Sequence, residues 1–481
     1  MRPQSTGDSV LGLHSCRALC PEPWGKRWIR CGAERAEKRG AWLAFVAAAN
    51  IEAGVKTNNP PATQLTVKVI LNHVQRFAGF IYRSVVLRGE GRDARIEVTL
   101  EPHAGMHRRC GECRQRCPGY DTLAERSWQF VPLWNLPVWF LYKPRRVECP
   151  THGVVIEHLP WSDGKRPVTK AMMLFLARWA RRLSWRETAR AFRTSWEAVY
   201  RSVEWCVEWG LAQRDLSGVT AIGVDEIHQG RARGFLTVVY QIDAHCRRLL
   251  WVGPKRTQAT LRRGLRELGP QVVRGLKFVC SDMWQPYLQV IAKEAAQALH
   301  VLDRFHVVMH FNQAVDKVRR QETSRLRGSA RAERLKHVRW KLLRRGSRVR
   351  GHARWQLRVL WAAKLATGRA WMLKESFQHF WNYRSPVWAG AYLQAWTAKA
   401  MRSRIEPMKK VARMLRRHRP LLLNWFRARG ELRGGAVEGL NNKIRVVTRR
   451  AYGFRTYRAM EVALYHNLGR LPEPILTHEF C

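Results

Sequence analysis

Two short apolar runs that each end on an aspartate, one Cys/His set and one basic helical stripe are the parts of this chain able to do chemistry. Residues 221–243 (AIGVDEIHQGRARGFLTVVYQID) read as two antiparallel strands joined by a Gly- and Arg-rich turn, and Asp225 closes the first run. A carboxylate at the edge of a core is costly unless it is paired or holds a metal, so Asp225 needs a partner. The pattern recurs at residues 276–282 (LKFVCSD), where a strand ends on Asp282 and a helical stretch follows over 283–298. Two strand-borne aspartates suit hard cations, which take oxygen ligands. A third carboxylate lies in the run from Gly434 to Arg455, where Glu438, Asn442, Arg445 and Arg449 recur at i, i+4, i+7 and i+11 and share one helix face. Lys443 and Arg450 add to its positive charge. A carboxylate above a basic stripe is wasteful for packing and sensible for holding a metal beside a phosphodiester.

The second constellation is Cys110-Gly-Glu-Cys113 followed by Cys149-Pro-Thr-His152. Two ligand pairs, each with two residues between, suit one tetrahedral zinc bound by thiolate and imidazole. Residues 128–147 alternate aromatic and basic side chains and read as strands that bring the two pairs together; Cys117 is a substitute ligand for any of the four. The competing reading is a chance coincidence of one CxxC with one CxxH. Eleven cysteines, an odd and otherwise scattered number, argue against a disulfide framework.

The elements that must position these groups follow a recognisable order. After the strand ending on Asp225 come a second strand, a third over 248–252, a helix over 257–268, the strand ending on Asp282, a helix, and a strand over 298–302. Three strands followed by alternating helix and strand is the order of a ribonuclease H-like α/β domain. Asp303-Arg304-Phe305-His306 then opens a helix, and residues 314–429 form an Arg-rich, Trp-dotted helical block without a strand-like run. We read this block as an all-α insertion that interrupts the α/β domain.

Upstream, residues 67–82 carry apolar residues at near-helical spacing and residues 96–100 alternate like a strand. Residues 168–183 are helical, and 184–208 show a helix, break, helix rhythm with a capping box from Ser184 to Glu187. The second helix, capped by Thr194 and Ser195, presents Ser195, Trp196, Glu197 and Arg201 in the manner of a helix-turn-helix, although a plain helical hairpin has the same rhythm. Flanking arginines, among them Arg186 and Arg193, suit phosphate contacts. The expected organisation is therefore 1–62, a disordered extension or sequence ahead of the true start; 63–165, the zinc module; 166–214, the helix-turn-helix; 215–313, the first part of the α/β domain; 314–430, the helical insertion; 431–470, the helix carrying Glu438; and 471–481, a tail.

With 86 Lys and Arg against 37 Asp and Glu, the formal net charge is +49 over 481 residues, which favours a polyanion as partner. Nucleic acid comes first, ahead of a ribosomal or membrane-surface role. No apolar run approaches the ~20 residues needed to span a bilayer, and the reading is cytoplasmic.

Taken together, VDE in a strand, SD in a later strand, DRFH, and VEGLNNKIRVVTRRAYGFR near the C-terminus closely resemble the DDE transposases of bacterial insertion sequences, specifically the ISL-three family. The resemblance extends over residues 65–470 and includes the Cys110 to His152 module. It implies that Asp225, Asp282 and Glu438 are catalytic and hold two Mg²⁺ or Mn²⁺ ions, roughly 3.5–4 Å apart, that clamp the attacking and leaving oxygens of an in-line phosphoryl displacement. The implied reaction cuts double-stranded DNA at the element's inverted-repeat ends and transfers the 3′ hydroxyl to target DNA, with a homodimer or larger assembly on the DNA. A zinc and helix-turn-helix regulator with a silent α/β domain, and a nuclease without strand transfer, are the alternatives. Glu431 and Glu461 also lie where the third carboxylate is expected. Glu431 sits in a Gly-rich stretch that positions a ligand poorly, and Glu461 reads as a solvated helix face.

Overall fold

In the computed structural model, residues 65–229, 234–362, 365–428 and 435–476 are described. The expectations for residues 1–62, for Glu431 and for residues 477–481 of the tail lie outside them.

The N-terminal part is built on aromatic strands. Helix α1 (Val67–Val74) is followed by β1 (Phe80–Arg88), β2 (Arg95–Pro102), β3 (Gly119–Thr122), β4 (Arg126–Leu133), β5 (Leu136–Tyr142), β6 (Arg145–Cys149) and β7 (Gly153–Ile156). The near-helical spacing of residues 67–82 overran a boundary. The helix stops at Val74, Gly79 turns the chain at φ +84°, and Phe80 and Tyr82 then alternate inward as a strand, with the Tyr82 hydroxyl bonded to the Gln75 carbonyl. Positive φ is open to glycine without steric penalty. One sheet has the order β1-β2-β5-β4, and its face packs Tyr82, Phe140, Trp128 and Trp161 together; a second, β3-β6-β7, ends on Cys149.

Three helices follow, α2 (Lys170–Ala180), α3 (Trp185–Ala191) and α4 (Trp196–Gln213). Each begins on a hydroxyl cap, Thr169, Ser184 and Ser195, that accepts a hydrogen bond from an otherwise unpaired backbone N–H. Ser184 and Glu187 form the full capping box.

The central sheet runs β10-β9-β8-β11-β12, built from β8 (Ala221–His228), β9 (Phe235–Gln241), β10 (Arg248–Pro254), β11 (Phe278–Ser281) and β12 (Leu299–Leu302). The first three strands are antiparallel, and β11 and β12 continue parallel to β8. Helices α5 (Gln258–Leu268), α6 (Pro270–Gly275) and α7 (Gln285–Glu294) connect them. Because successive strand residues face opposite ways, Ile222 and Val224 pack with Leu261, Leu265 and Ile291 on one face. Ala221, Tyr240 and Leu249 pack on the other with Val437 and Leu440. Asp225 shares the second face, and Glu226 the first.

From Arg304 onward the described residues are helical: α8 (Arg304–Arg325), α9 (Ala330–His337), α10 (Arg339–Leu343), α11 (Gly351–Ala362), α12 (Ala366–Phe377), α13 (Pro386–Arg402), α14 (Glu406–Arg417) and α15 (Arg419–Arg427). They enclose their own apolar core, including Phe311, Phe377, Phe380 and Trp396. Buried Glu322 ties this block together by accepting from the Ala366 and Thr367 N–H groups, both at 2.8 Å. The chain then returns to the sheet with α16 (Ala436–Arg450) and α17 (Tyr457–Leu468).

Candidate active site and metal centre

Strand pairing decides the first half of the site. Ser281 lies opposite Val224 in the parallel β8–β11 ladder, so Asp225 and Asp282, each one residue further on, emerge side by side at the same edge of the sheet. Both are nearly buried, at 4 % and 7 % exposure. The Asp225 carboxylate accepts from the Glu226 N–H (2.8 Å) and from the Asn441 side-chain amide (2.6 Å). Asp282 accepts from the Trp284 N–H (3.0 Å) and from Arg256 (3.2 Å). Burial pushes the Asp282 pKa up, because a desolvated carboxylate resists ionisation.

Helix α16 closes over this edge. Its inward face is Val437, Leu440, Asn441 and Ile444, all buried. Asn441 bridges the sheet, taking the Tyr240 hydroxyl at 2.7 Å while donating to Asp225. Gly223 permits the approach, since a Cβ there would stand 2.5 Å from Val437 Cγ2. One turn before Asn441, Glu438 is half-buried and bonded to Arg445 at 3.0 Å, while Arg445 also bonds Asn442 at 2.7 Å. The stripe of Glu438, Asn442, Arg445 and Arg449 thus forms as a shared face. Asn442, Lys443, Arg445 and Arg449 are exposed, whereas Arg450 is drawn inward to the Arg181 carbonyl and Asn467. The Glu438 carboxylate is held by Arg445 of its own helix, and among the described residues it forms no close ligand group with the two aspartates. Glu461 instead pairs with Arg458 at 3.1 Å.

Four further residues stand at this edge that the spacing of carboxylates does not reveal. Asp303 caps α8 through the Phe305 N–H (2.9 Å), and His306, one turn on, lies 3.6 Å from Asp225 and 4.0 Å from Asp303. Burial opposes protonation of His306, but Asp225, Asp303 and Asp282 together outweigh it and raise its pKa to about 9. On the opposite face Glu226 is raised to about 7, first by burial and then by Asp282, and Arg256 bridges the two at 2.8 and 3.2 Å. The Arg256 guanidinium lies 4.1 Å above the Trp284 ring. The DRFH and VDE motifs contain Asp303, His306 and Glu226, whereas Arg256 belongs to neither, and only the fold shows what the four face.

The Cys/His set comes together as its spacing requires. Cys110, Cys113, Cys149 and His152 form a group whose ligand atoms all lie within 4.8 Å of one another, with Cys113 Sγ 3.6 Å from Cys149 Sγ and His152 Nδ1 3.6 Å from Cys149 Sγ. A Zn–S bond of ~2.3 Å gives a tetrahedral edge of ~3.8 Å, so the donors fit zinc. Hydrogen bonding to His152 lowers the Cys149 pKa to about 6, toward the thiolate a metal needs. Cys117 is outside the group and contacts the Gln115 carbonyl.

Of the remaining expected positions, Arg186, Ser195, Trp196 and Arg201 are all exposed around the α3–α4 junction. Arg201 pairs with Glu204 at 3.1 Å, and Arg193, at φ +50°, donates to the Arg92 carbonyl at 2.7 Å.

A five-stranded sheet of this order, carrying paired aspartates on its central strands and faced by a helix with a third carboxylate, defines a ribonuclease H-like fold. The family model described as "Transposase", for DDE elements of the ISL3 type, matches residues 222–464, half of the chain. The chain belongs to the ISL3 family of DDE transposases. It is 28 % identical over 363 residues to the transposase for insertion sequence element IS1001 of Bordetella parapertussis, covering 75 % of this chain and 88 % of that protein. It is also 28 % identical over 398 residues to the transposase for IS1557 of Mycobacterium tuberculosis, covering 77 % and 88 %. No helix among the described residues is long and apolar enough to cross a membrane.

Proposed function

We propose that this transposase binds the inverted-repeat ends of its element, cuts phosphodiesters there and joins the freed 3′ end to target DNA, its hydroxyl attacking a target phosphodiester whose own 3′ oxygen leaves, with Asp225, Asp282 and Glu438 as the catalytic carboxylates. The observation that carries this reading is the latch of α16 onto the sheet, Tyr240 to Asn441 to Asp225, with Glu438 one helical turn from Asn441 and with Asp225, inside β8, next to Asp282 just beyond the end of β11. The oxygen-only donors, their burial and the raised Asp282 pKa fit Mg²⁺ or Mn²⁺, whose charge would relieve the crowding of anions. Such ions, when bound, supply an activated water and charge stabilisation for the phosphoryl transfer.

The protein's own part is placement. Asp225 and Asp282 are held rigidly by backbone N–H groups, Asn441 and Arg256. Glu438 joins them on releasing Arg445, which is then free to hold a backbone phosphate together with Lys443 and Arg449. Arg186, Ser195, Trp196 and Arg201 extend the contact as a helix-turn-helix, the Cys/His group holds structural zinc that stiffens the N-terminal module, and the insertion expected over residues 314–430 acts as a DNA-backbone surface. Two copies, one per end, satisfy the reaction.

The test is Glu438→Gln, which keeps shape and removes charge. End binding should survive, while Mg²⁺-dependent nicking and strand transfer fall by several orders of magnitude. Normal cleavage by that variant, with a dead Glu431→Gln or Glu461→Gln, would reject the triad. A pre-cleaved end that is bound but never joined would leave a nuclease.

A further inference from the structure

Helix α16 ends in an unusual way. Beyond Arg450 the chain closes with Tyr452 N–H bonded to the Arg449 carbonyl and Gly453 N–H to that of Thr448, and Tyr452 takes φ +52°. Glycine or asparagine normally occupies that left-handed position, where a bulky side chain is strained. Here a tyrosine sits in it and is 100 % exposed.

Tyr452 overhangs a cavity of about 1180 Å³ between the α3–α4 junction and the α16–α17 turn. Its floor is aromatic, with Trp185 5.2 Å from the Tyr200 ring and 6.0 Å from Phe454. Its rim includes Trp196, 60 % exposed, and the exposed Arg186 and Arg455, neither of which makes an ion pair among the described residues. Arg450, also on the lining, is already committed to the Arg181 carbonyl and Asn467.

The two features point to different parts of one ligand. Uncommitted arginines attract phosphates, and any duplex surface would satisfy them. Exposed aromatic faces around an apolar floor gain nothing from a phosphate backbone, but they stack on a base that has left its pair. We propose that this cavity receives unpaired nucleotides of the DNA end, with Tyr452 and Trp196 stacking on the bases and Arg186 and Arg455 holding the flanking phosphates. The inference rests on the end-binding reading above and specifies the form of DNA it takes.

The distance along α16 gives the register. Glu438 and Arg450 are twelve residues apart, so the cavity lies roughly 18 Å from the catalytic carboxylate at ~1.5 Å per residue. At ~3.4 Å per step, that is about five nucleotides from the cleaved phosphate.

The experiment titrates the full-length protein, without Mg²⁺, against two fluorescent probes made from the terminal 30 or so base pairs flanking the gene. One probe is fully paired, and the other carries a two-base mismatch about five steps from the end. The parent should bind the mismatched probe about tenfold more tightly. Tyr452→Gly, which relieves the left-handed strain and so keeps the helix end folded, should bring that ratio close to one, as should Tyr452→Ala, and Tyr452→Phe should keep it. A parent without preference, or a Tyr452→Gly variant that retains the ratio, overturns the inference alone. A parent that binds neither probe overturns the end-binding reading and this inference with it.

Discussion

Asn441 is the residue whose loss should reveal how the third carboxylate is held. Its side chain is 2 % exposed, donates to Asp225 at 2.6 Å and accepts from the fully buried Tyr240 hydroxyl at 2.7 Å. Asn441→Leu preserves volume but leaves one Asp225 oxygen short of a donor and the tyrosine hydroxyl without an acceptor. Each orphaned buried group costs about 1–3 kcal/mol, so the unfolding free energy should fall by about 3 kcal/mol after some gain from the added apolar contact. Movement of α16 by about 1 Å would lower nicking on the order of 100-fold. Asn441→Asp adds a pH signature. The new carboxyl is buried beside Asp225, so its folded pKa is raised above the unfolded value of ~3.9. Below that value the neutral acid can donate as the amide did. As pH rises above it, the variant should lose about 1.4 kcal/mol per unit relative to the parent until the folded pKa is reached. Denaturant midpoints of parent and variants from pH 5 to 8, in metal-free buffer, read this directly. A pH-independent Asn441→Asp deficit, or an Asn441→Leu protein that unfolds and nicks like the parent, would refute the latch.

Three other outcomes follow from the structure. Elemental analysis of the purified chain should find close to one zinc per molecule, and Cys113→Ser with Cys149→Ser should abolish it; a metal-free but folded parent would remove the zinc module. His300 is 9 % exposed, bonds Ser281 at 2.8 Å, and has its pKa lowered to about 4, first by burial and then by His418. Between pH 6.5 and 4 the unfolded chain takes up the proton and the folded one does not, so stability should fall with falling pH by ~3 kcal/mol, and His300→Gln should flatten that slope in acid denaturation. Gly223→Ala places a methyl 2.5 Å from Val437, and should lower stability by about 1–3 kcal/mol, with α16 more open to amide exchange; an unchanged melting curve would mean the two elements are not in tight register.

The sequence alone was enough where the physics is local. Cys110-x-x-Cys113 and Cys149-x-x-His152 announce their chemistry by spacing, the capping box at Ser184 is contained within one turn, and the aspartates mark themselves as charges ending apolar runs. The common face of Glu438, Asn442, Arg445 and Arg449 follows from helical period. Period says which residues share a face, but not what that face meets. Neighbours on a helix are about 100° apart, so Asn441 and Asn442 look in different directions, and only packing against β8 made Asn441 the buried anchor and left Asn442 in solvent. Residues 67–82 failed for a related reason: a short apolar run fits helix and strand alike until Phe80 and Tyr82 find a sheet to enter. The adjacency of Asp225 and Asp282, the bridge from Arg256 to Glu226 and Asp282, and the approach of His306 all depend on strand and helix pairings between segments far apart in the chain. Such pairings are settled by burying apolar faces, and no short motif encodes them.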